Sequence, residues 1–296
     1  LILALTQATG LEGLVVTADE ATASRMCEDL NLMAGGEAAV LFPSRELTYR
    51  QVQGVSREYE HARLAVLGKL AEGSAKLVVA CAQAALQYTM PPEVLRARTR
   101  RLRAGESYDL EELCTFLLSA GYARADQVEG VCQFSRRGGI LDFFPPHMPD
   151  PFRVEFWGDE VDTISTFKVE TQRRVDTVKW VDITPAAEVV CDSPQQLERL
   201  LKAARAKLRG TQGKRAKEQL DQVLDQLAAG VPPESLDRWL PLIYPQPATL
   251  FDYLPSGALY LCDTGNCREA LRTLQLQQNE DLKLMLEEGL LFKGCD

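Results

Sequence analysis

The sequence predicts an α/β protein: a parallel-sheet unit whose chain is split by a β-rich α+β domain. Three observations carry this expectation. Short apolar strands alternate with amphipathic helices over residues 1–94. Residues 95–190 change to a two-residue periodicity with hairpin signals. From residue 191 to 296 helix and strand patterns resume. The predicted segments are therefore 1–94, 95–190 and 191–296.

Residues 1–9 read as a helix end closed by Gly10, and Leu14–Thr17 as a short buried strand. Asp19 is placed to cap a helix from about Glu20 to Leu32, with Ala23, Met26, Cys27 and Leu30 on one face. Ala38–Phe42 is a second strand, stopped by Pro43. A helix over about Ser56–Ala71 and a strand at Leu77–Ala80 complete the pattern of a parallel sheet with covering helices. The arginine-rich stretch Arg96–Arg103 reads as a solvated linker. Asp109 caps a helix to about Ala120, ended by Gly121.

The central stretch Val128–Phe167 is the most informative. Arg136-Arg137-Gly138-Gly139 lies between short β-type runs, and Ile140–Phe144 is halted by Pro145-Pro146. Phe152–Trp157 then meets Val161–Phe167 across Gly158-Asp159, a two-residue hairpin signal. Residues two apart in a strand share a face. Arg153, Glu155 and Trp157 thus point one way, Val154 and Phe156 the other, toward the core. A cation, an anion and an indole on one face suit either a solvated sheet surface or a binding face, since Arg and Trp are enriched at interface hot spots.

After Cys191, Asp192-Ser193-Pro194 starts a helix carrying Leu197, Leu200, Leu201, Ala204 and Leu208. A second helix spans about Ala216–Ala228, both being highly charged and loosely packed. A short helix holds Trp239. Thr249–Leu254 and Ala258–Cys262 read as strands, and Arg268–Glu288 as a helix.

A net charge of −9 and a pI near 5.0 argue against a broad basic surface for nonspecific DNA binding. The opening LILALTQATGLEGLVV is too interrupted by polar residues to span a bilayer, and a cytoplasmic location is expected. The eight cysteines form no C-x-x-C and read as free, mostly buried thiols. His61, in a charged helix, and His147, in a proline-rich loop, read as surface residues. No cofactor or metal is expected.

The words FSRRGGILDFFPP, FRVEFWGDEVDTISTF, Thr171-Gln172-Arg173-Arg174 and Ile183-Thr184-Pro185-Ala186 occur in fixed order. Over residues 95–190 they resemble the module shared by the bacterial transcription-repair coupling factor family (Mfd) and the excision-repair protein UvrB. Thr-Gln-Arg after the hairpin favours the former. The resemblance implies that 1–94 and 191–296 are the two halves of a degenerate motor-like unit, split by an inserted UvrA-binding domain. It further implies a non-catalytic region that recruits UvrA, with RNA polymerase and DNA engaged by the rest of such a protein. The UvrA-contacting positions fall on Arg137, Arg153 and Trp157, Phe being usual at the last. A UvrB-type DNA-binding ATPase fragment and a structural domain masking a motor in cis are the alternatives.

The chemistry of a motor is missing from the sequence. A P-loop needs G-x-x-x-x-G-K-[ST] after a strand. The nearest match, Gly213-Lys214-Arg215, has Arg at the hydroxyl position and reads as an interhelical loop. The interval from Pro43 to about Ser56 holds Tyr49 alone, against the long Tyr-rich hairpin of UvrB. This chain is expected neither to bind nor to hydrolyse ATP.

Overall fold

The computed structural model describes residues 1–45, 57–231, 233 and 236–291. Tyr49 and Cys295 lie outside them. The chain divides into two compact units, Leu1–Ser56, Gly73–Pro91 and Cys191–Asp296 in unit one, Arg57–Glu72 and Pro92–Val190 in unit two.

Unit one opens with α1 (Ile2–Thr9), β1 (Gly13–Thr17), α2 (Glu20–Ala34) and β2 (Val40–Phe42). The next helix, α3 (Glu58–Ala71), belongs to unit two. Unit one resumes with β3 (Leu77–Cys81) and α4 (Ala82–Leu86). Unit two then comprises α5 (Pro92–Ala97), β4 (Arg100–Arg103), α6 (Leu110–Ser119), β5 (Ala123–Arg124), β6 (Gln133–Arg137), β7 (Ile140–Phe143), β8 (Phe152–Trp157), β9 (Glu160–Phe167), β10 (Arg174–Val178) and β11 (Trp180–Ile183). Unit one ends with α7 (Pro194–Lys207), α8 (Gly210–Ala228), α9 (Leu240–Ile243), β12 (Ala258–Leu261) and α10 (Thr264–Glu288).

In unit one, β12-β1-β3-β2 form a parallel sheet, so its edge strand β12 comes from the far end of the chain. Every residue of β1 and β3 is buried, as expected of central parallel strands. Asp19 caps α2 by accepting the Thr22 backbone N–H at 2.8 Å. The charged helices α7 and α8 do not pack loosely. Leu197, Leu201, Ala204, Ala216, Leu220, Val223 and Trp239 make a core of their own.

In unit two, β10-β9-β8-β7-β6-β5 form a sheet that is antiparallel except at β5/β6. Its inner face packs Phe134, Leu141, Phe143, Phe152, Val154, Val161 and Ile164 against Leu113, Cys114 and Leu117 of α6. The ribbon β4/β11 closes the same core with Leu102, Val181 and Ile183. No described helix is long and apolar enough to cross a membrane. The described cysteines are free, Cys27, Cys81, Cys114, Cys132 and Cys267 being buried.

Several expectations from sequence are corrected. Arg96–Arg103 is not a solvated linker: it ends α5 and forms β4, where Leu102 enters the core between outward-facing Arg101 and Arg103. Arg101 grips Asp182 with two bonds of 2.8 and 2.7 Å and lies 3.9 Å over the Trp180 ring. Thr249–Leu254 is a 3₁₀ turn, held by a reciprocal capping box between Thr249 and Asp252. Gly213-Lys214-Arg215 lies within α8. His147 is buried, with Nε2 3.0 Å from Glu72 Oε1 and Nδ1 3.2 Å from Thr184 Oγ1. His61 is only partly exposed.

The placement of α3 in unit two has a visible cause. Arg63 of α3 and Glu188 form an ion pair in which both side chains are wholly buried, and Glu60 accepts the Glu188 backbone N–H at 2.8 Å. The segment 1–94 read from sequence includes this helix. Breaking a buried pair strands a charge, at a cost of about 3–5 kcal/mol. Arg63→Met and Glu188→Leu are each expected to lose about that much stability in urea unfolding, and the double variant less than either. Single losses below about 1 kcal/mol would show a pair of surface strength.

Burial, reinforced by Arg57, pushes the His61 pKa down to about 4. The folded state therefore holds His61 neutral where the unfolded chain, near 6.5, is already protonating. The unfolded chain binds more protons in that window, so stability is complete above about 6.5 and declines as pH falls toward 4. His61→Gln is expected to flatten this decline in pH-dependent melting. An unchanged slope contradicts it.

Candidate partner-binding face

The outer face of the unit-two sheet carries all three residues singled out from sequence. Ser135 of β6, Asp142 of β7, Arg153 of β8 and Ser165 of β9 are paired across adjacent strands and form one rung. The next rung runs Arg137, Ile140, Glu155, Thr163. Trp157 pairs with Glu160 at the hairpin mouth, beyond both rungs. The alternation expected from sequence holds: Val154 is fully buried and Phe156 packs on the core, while Trp157 is 86% exposed. Trp157 is thus not a core residue.

Two turns border this face. Gly158 takes φ 63° at the first position of the Gly158-Asp159 turn, as the hairpin requires. Arg137 ends β6 at the Gly138-Gly139 turn. There, Phe156 N–H donates to Gly139 O at 2.8 Å, and a Cβ on Gly139 would sit 3.0 Å from Phe156 O. Any side chain at Gly139 would press on the backbone at the end of β8, so glycine lets this turn lie close against it.

The centre of the face is a residue that sequence reasoning did not assign. Asp142 is fully buried, and its carboxylate accepts three bonds of 2.8 Å. Arg153 donates to it twice, Nε to Oδ1 and Nη2 to Oδ2, and Arg137 Nη2 donates once to Oδ2. The signal was present: Asp142 is the one carboxylate inside the apolar run Ile140–Phe144. A buried carboxylate demands a cation.

Arg153 is held on further sides. Its Cζ lies 4.7 Å over the Phe167 ring, and its Nη1 donates to Gln172 O at 3.2 Å. The hydrogen bonds to Asp142 raise its pKa against the opposing effect of burial, so it stays a cation. Its side chain is 12% exposed, against 45% for Arg137. Arg153 spends most of its five N–H groups inside the molecule, whereas Arg137 spends one. Two cations against one carboxylate leave this cluster with one positive charge in excess. The neighbouring Glu155 is matched by Arg174. The arrangement can present charge and an apolar plate; among the described residues, no His, Cys, Asp and Glu grouping could hold a metal ion.

Known proteins are similar to this chain in its central module and along most of its length. Residues 101–188 match the UvrB interaction domain family. The chain is 29% identical to the transcription-repair-coupling factor of Bacillus subtilis, over 98% of this chain and 25% of that protein. It is 28% identical to that of Haemophilus influenzae, over 88% and 22%. It is 26% identical to that of Staphylococcus aureus, over 95% and 25%. The chain thus spans about a quarter of the length of these relatives. Its central residues 101–188 are thus similar to the UvrB interaction domain family, and the chain as a whole is similar to a part of the transcription-repair-coupling factors.

Proposed function

We propose that this region is non-catalytic and recruits UvrA, through Arg137, Arg153 and Trp157, in transcription-coupled nucleotide excision repair in the cytoplasm. RNA polymerase and DNA are engaged by other parts of the full-length protein. Segments 1–94 and 191–296 act as the halves of a degenerate motor-like unit around the UvrA-binding domain, 95–190. The observation that carries the reading is Trp157, an indole 86% exposed on the same sheet face as two guanidiniums fixed on one buried carboxylate. Exposed Trp with adjacent Arg is the composition of an interface hot spot. The acidic chain as a whole disfavours the DNA-clamping alternative.

The geometry divides the labour among the three residues. Arg137 retains N–H groups for a bidentate bond to a partner carboxylate. Arg153 contributes its charge and the exposed edge of a guanidinium that is already committed. Trp157 supplies apolar area. Titration of UvrA by calorimetry, with melting on the same proteins, tests this division. Arg137→Ala and Trp157→Ala are each expected to weaken UvrA binding by about 2 kcal/mol, roughly 30-fold, with melting unchanged in Trp157→Ala and lowered in Arg137→Ala by the loss of one bond to Asp142. Arg153→Ala is expected to lose both affinity and stability, because it removes two of the three bonds to buried Asp142. Wild-type affinity in both Arg137→Ala and Trp157→Ala refutes the site.

A further inference from the structure

The connection between β9 and β10 contains a backbone anomaly next to this site. Gln172 has φ 57°, in the left-handed region that non-glycine residues rarely adopt. Glycine would take this conformation without strain. Strain of this kind persists only where the surroundings enforce it, and it is an observation from which a role can be sought.

The side chain of Gln172 supplies the reason for a glutamine. Its Nε2 donates to Val169 O at 2.9 Å and to Val128 O at 3.2 Å, joining two loops that cover one end of the outer sheet face. Those loops lie over the small apolar cluster of Val128, Phe144 and Phe167, the last being the ring beneath Arg153. Its Oε1 lies 3.4 Å from Arg153 Nη2, and its backbone oxygen accepts from Nη1 at 3.2 Å. The backbone is pinned in turn by Gln172 N–H donating to Lys168 O at 2.7 Å and Lys168 N–H donating to Arg173 O at 3.0 Å.

We infer that Gln172 is a positioning residue for the partner-binding face: together with Asp142 it clamps the Arg153 guanidinium in one plane and one rotamer. Asp142 grips the Nε and Nη2 edge, and Gln172 grips the Nη1 and Nη2 end. An arginine held on two sides and stacked on a ring has its rotamer entropy removed before any partner arrives. This inference rests on the assignment of Arg153 to the UvrA-binding face, but its physical content, the immobilised guanidinium, does not need UvrA to be measured.

Gln172→Gly is the informative variant, because glycine keeps the left-handed backbone and removes only the side chain. Nitrogen NMR of the Arg153 Nη groups in the free protein reads guanidinium rotation, and UvrA titration reads the consequence. Rotation is expected to accelerate in Gln172→Gly. UvrA affinity is expected to fall about tenfold, the scale of one hydrogen bond to a charged group. On an Arg153→Ala background the same change is expected to cost nothing further, which a general loosening of the loop would not reproduce. Unchanged rotation in Gln172→Gly overturns the inference whatever the affinity does. An affinity loss of full size on the Arg153→Ala background overturns it as well. Wild-type UvrA affinity in Arg153→Ala itself would instead remove Arg153 from the partner site, while the rotation measurement still decides what Gln172 does.

Discussion

The buried carboxylate of Asp142 is the constraint on which the outer face of unit two depends. Withdrawing a carboxylate from water costs several kcal/mol, and only closely matched cations with complete hydrogen bonding offset it. The strand register delivers those cations. Arg153 lies directly across the ladder from Asp142, and Arg137 reaches the same carboxylate from β6. A slip of one residue in β8 would turn Arg153 into the core and Val154 outward. Asp142 therefore specifies register as well as charge, and the two arginines that could face a partner are first of all the ligands of an internal anion.

This arrangement explains how a sheet surface becomes a binding surface. An arginine on a flexible stem loses rotamer freedom when it is captured by a partner, about 0.5–1.5 kcal/mol for each immobilised side chain. Here that loss is incurred during folding, by Asp142 and by the Phe167 ring under Arg153. The Gly138-Gly139 turn is set against the end of β8, and the cations and the exposed indole share one sheet face. The three residues then differ in kind. Trp157 is nearly free, Arg137 is half-committed, and Arg153 belongs largely to the fold.

Much of this was legible in the sequence, and the failures have physical causes. Strand alternation in Phe152–Trp157 set the two faces correctly, and the Gly158-Asp159 hairpin formed where its turn chemistry indicated. Asp142 escaped notice because a lone carboxylate in an apolar run shows its demand for a cation without showing which cation meets it. Gln172 stands in the Thr171-Gln172-Arg173-Arg174 motif, but its left-handed backbone has no signature in residue type. Arg96–Arg103 looked solvated because five arginines hid one inward residue, Leu102, and a partner strand some eighty residues away. His147 looked exposed because a proline-rich loop says nothing of the glutamate and threonine waiting for its ring. Except at Gln172, the missing information is a contact with a residue distant in sequence or across the ladder, which periodicity cannot carry.

The most direct test of the account is the UvrA affinity of Asp142→Asn, measured beside its melting temperature. Asparagine keeps the shape and one acceptor oxygen, and it removes the charge that holds both guanidiniums. Asp142 is wholly buried and cannot itself touch a partner. The account predicts a protein that still folds, with lowered stability, and that binds UvrA markedly more weakly because Arg137 and Arg153 are no longer fixed on the face that carries Trp157. Wild-type affinity in a folded Asp142→Asn protein would contradict it, by showing that the cations do not need their buried anion to act.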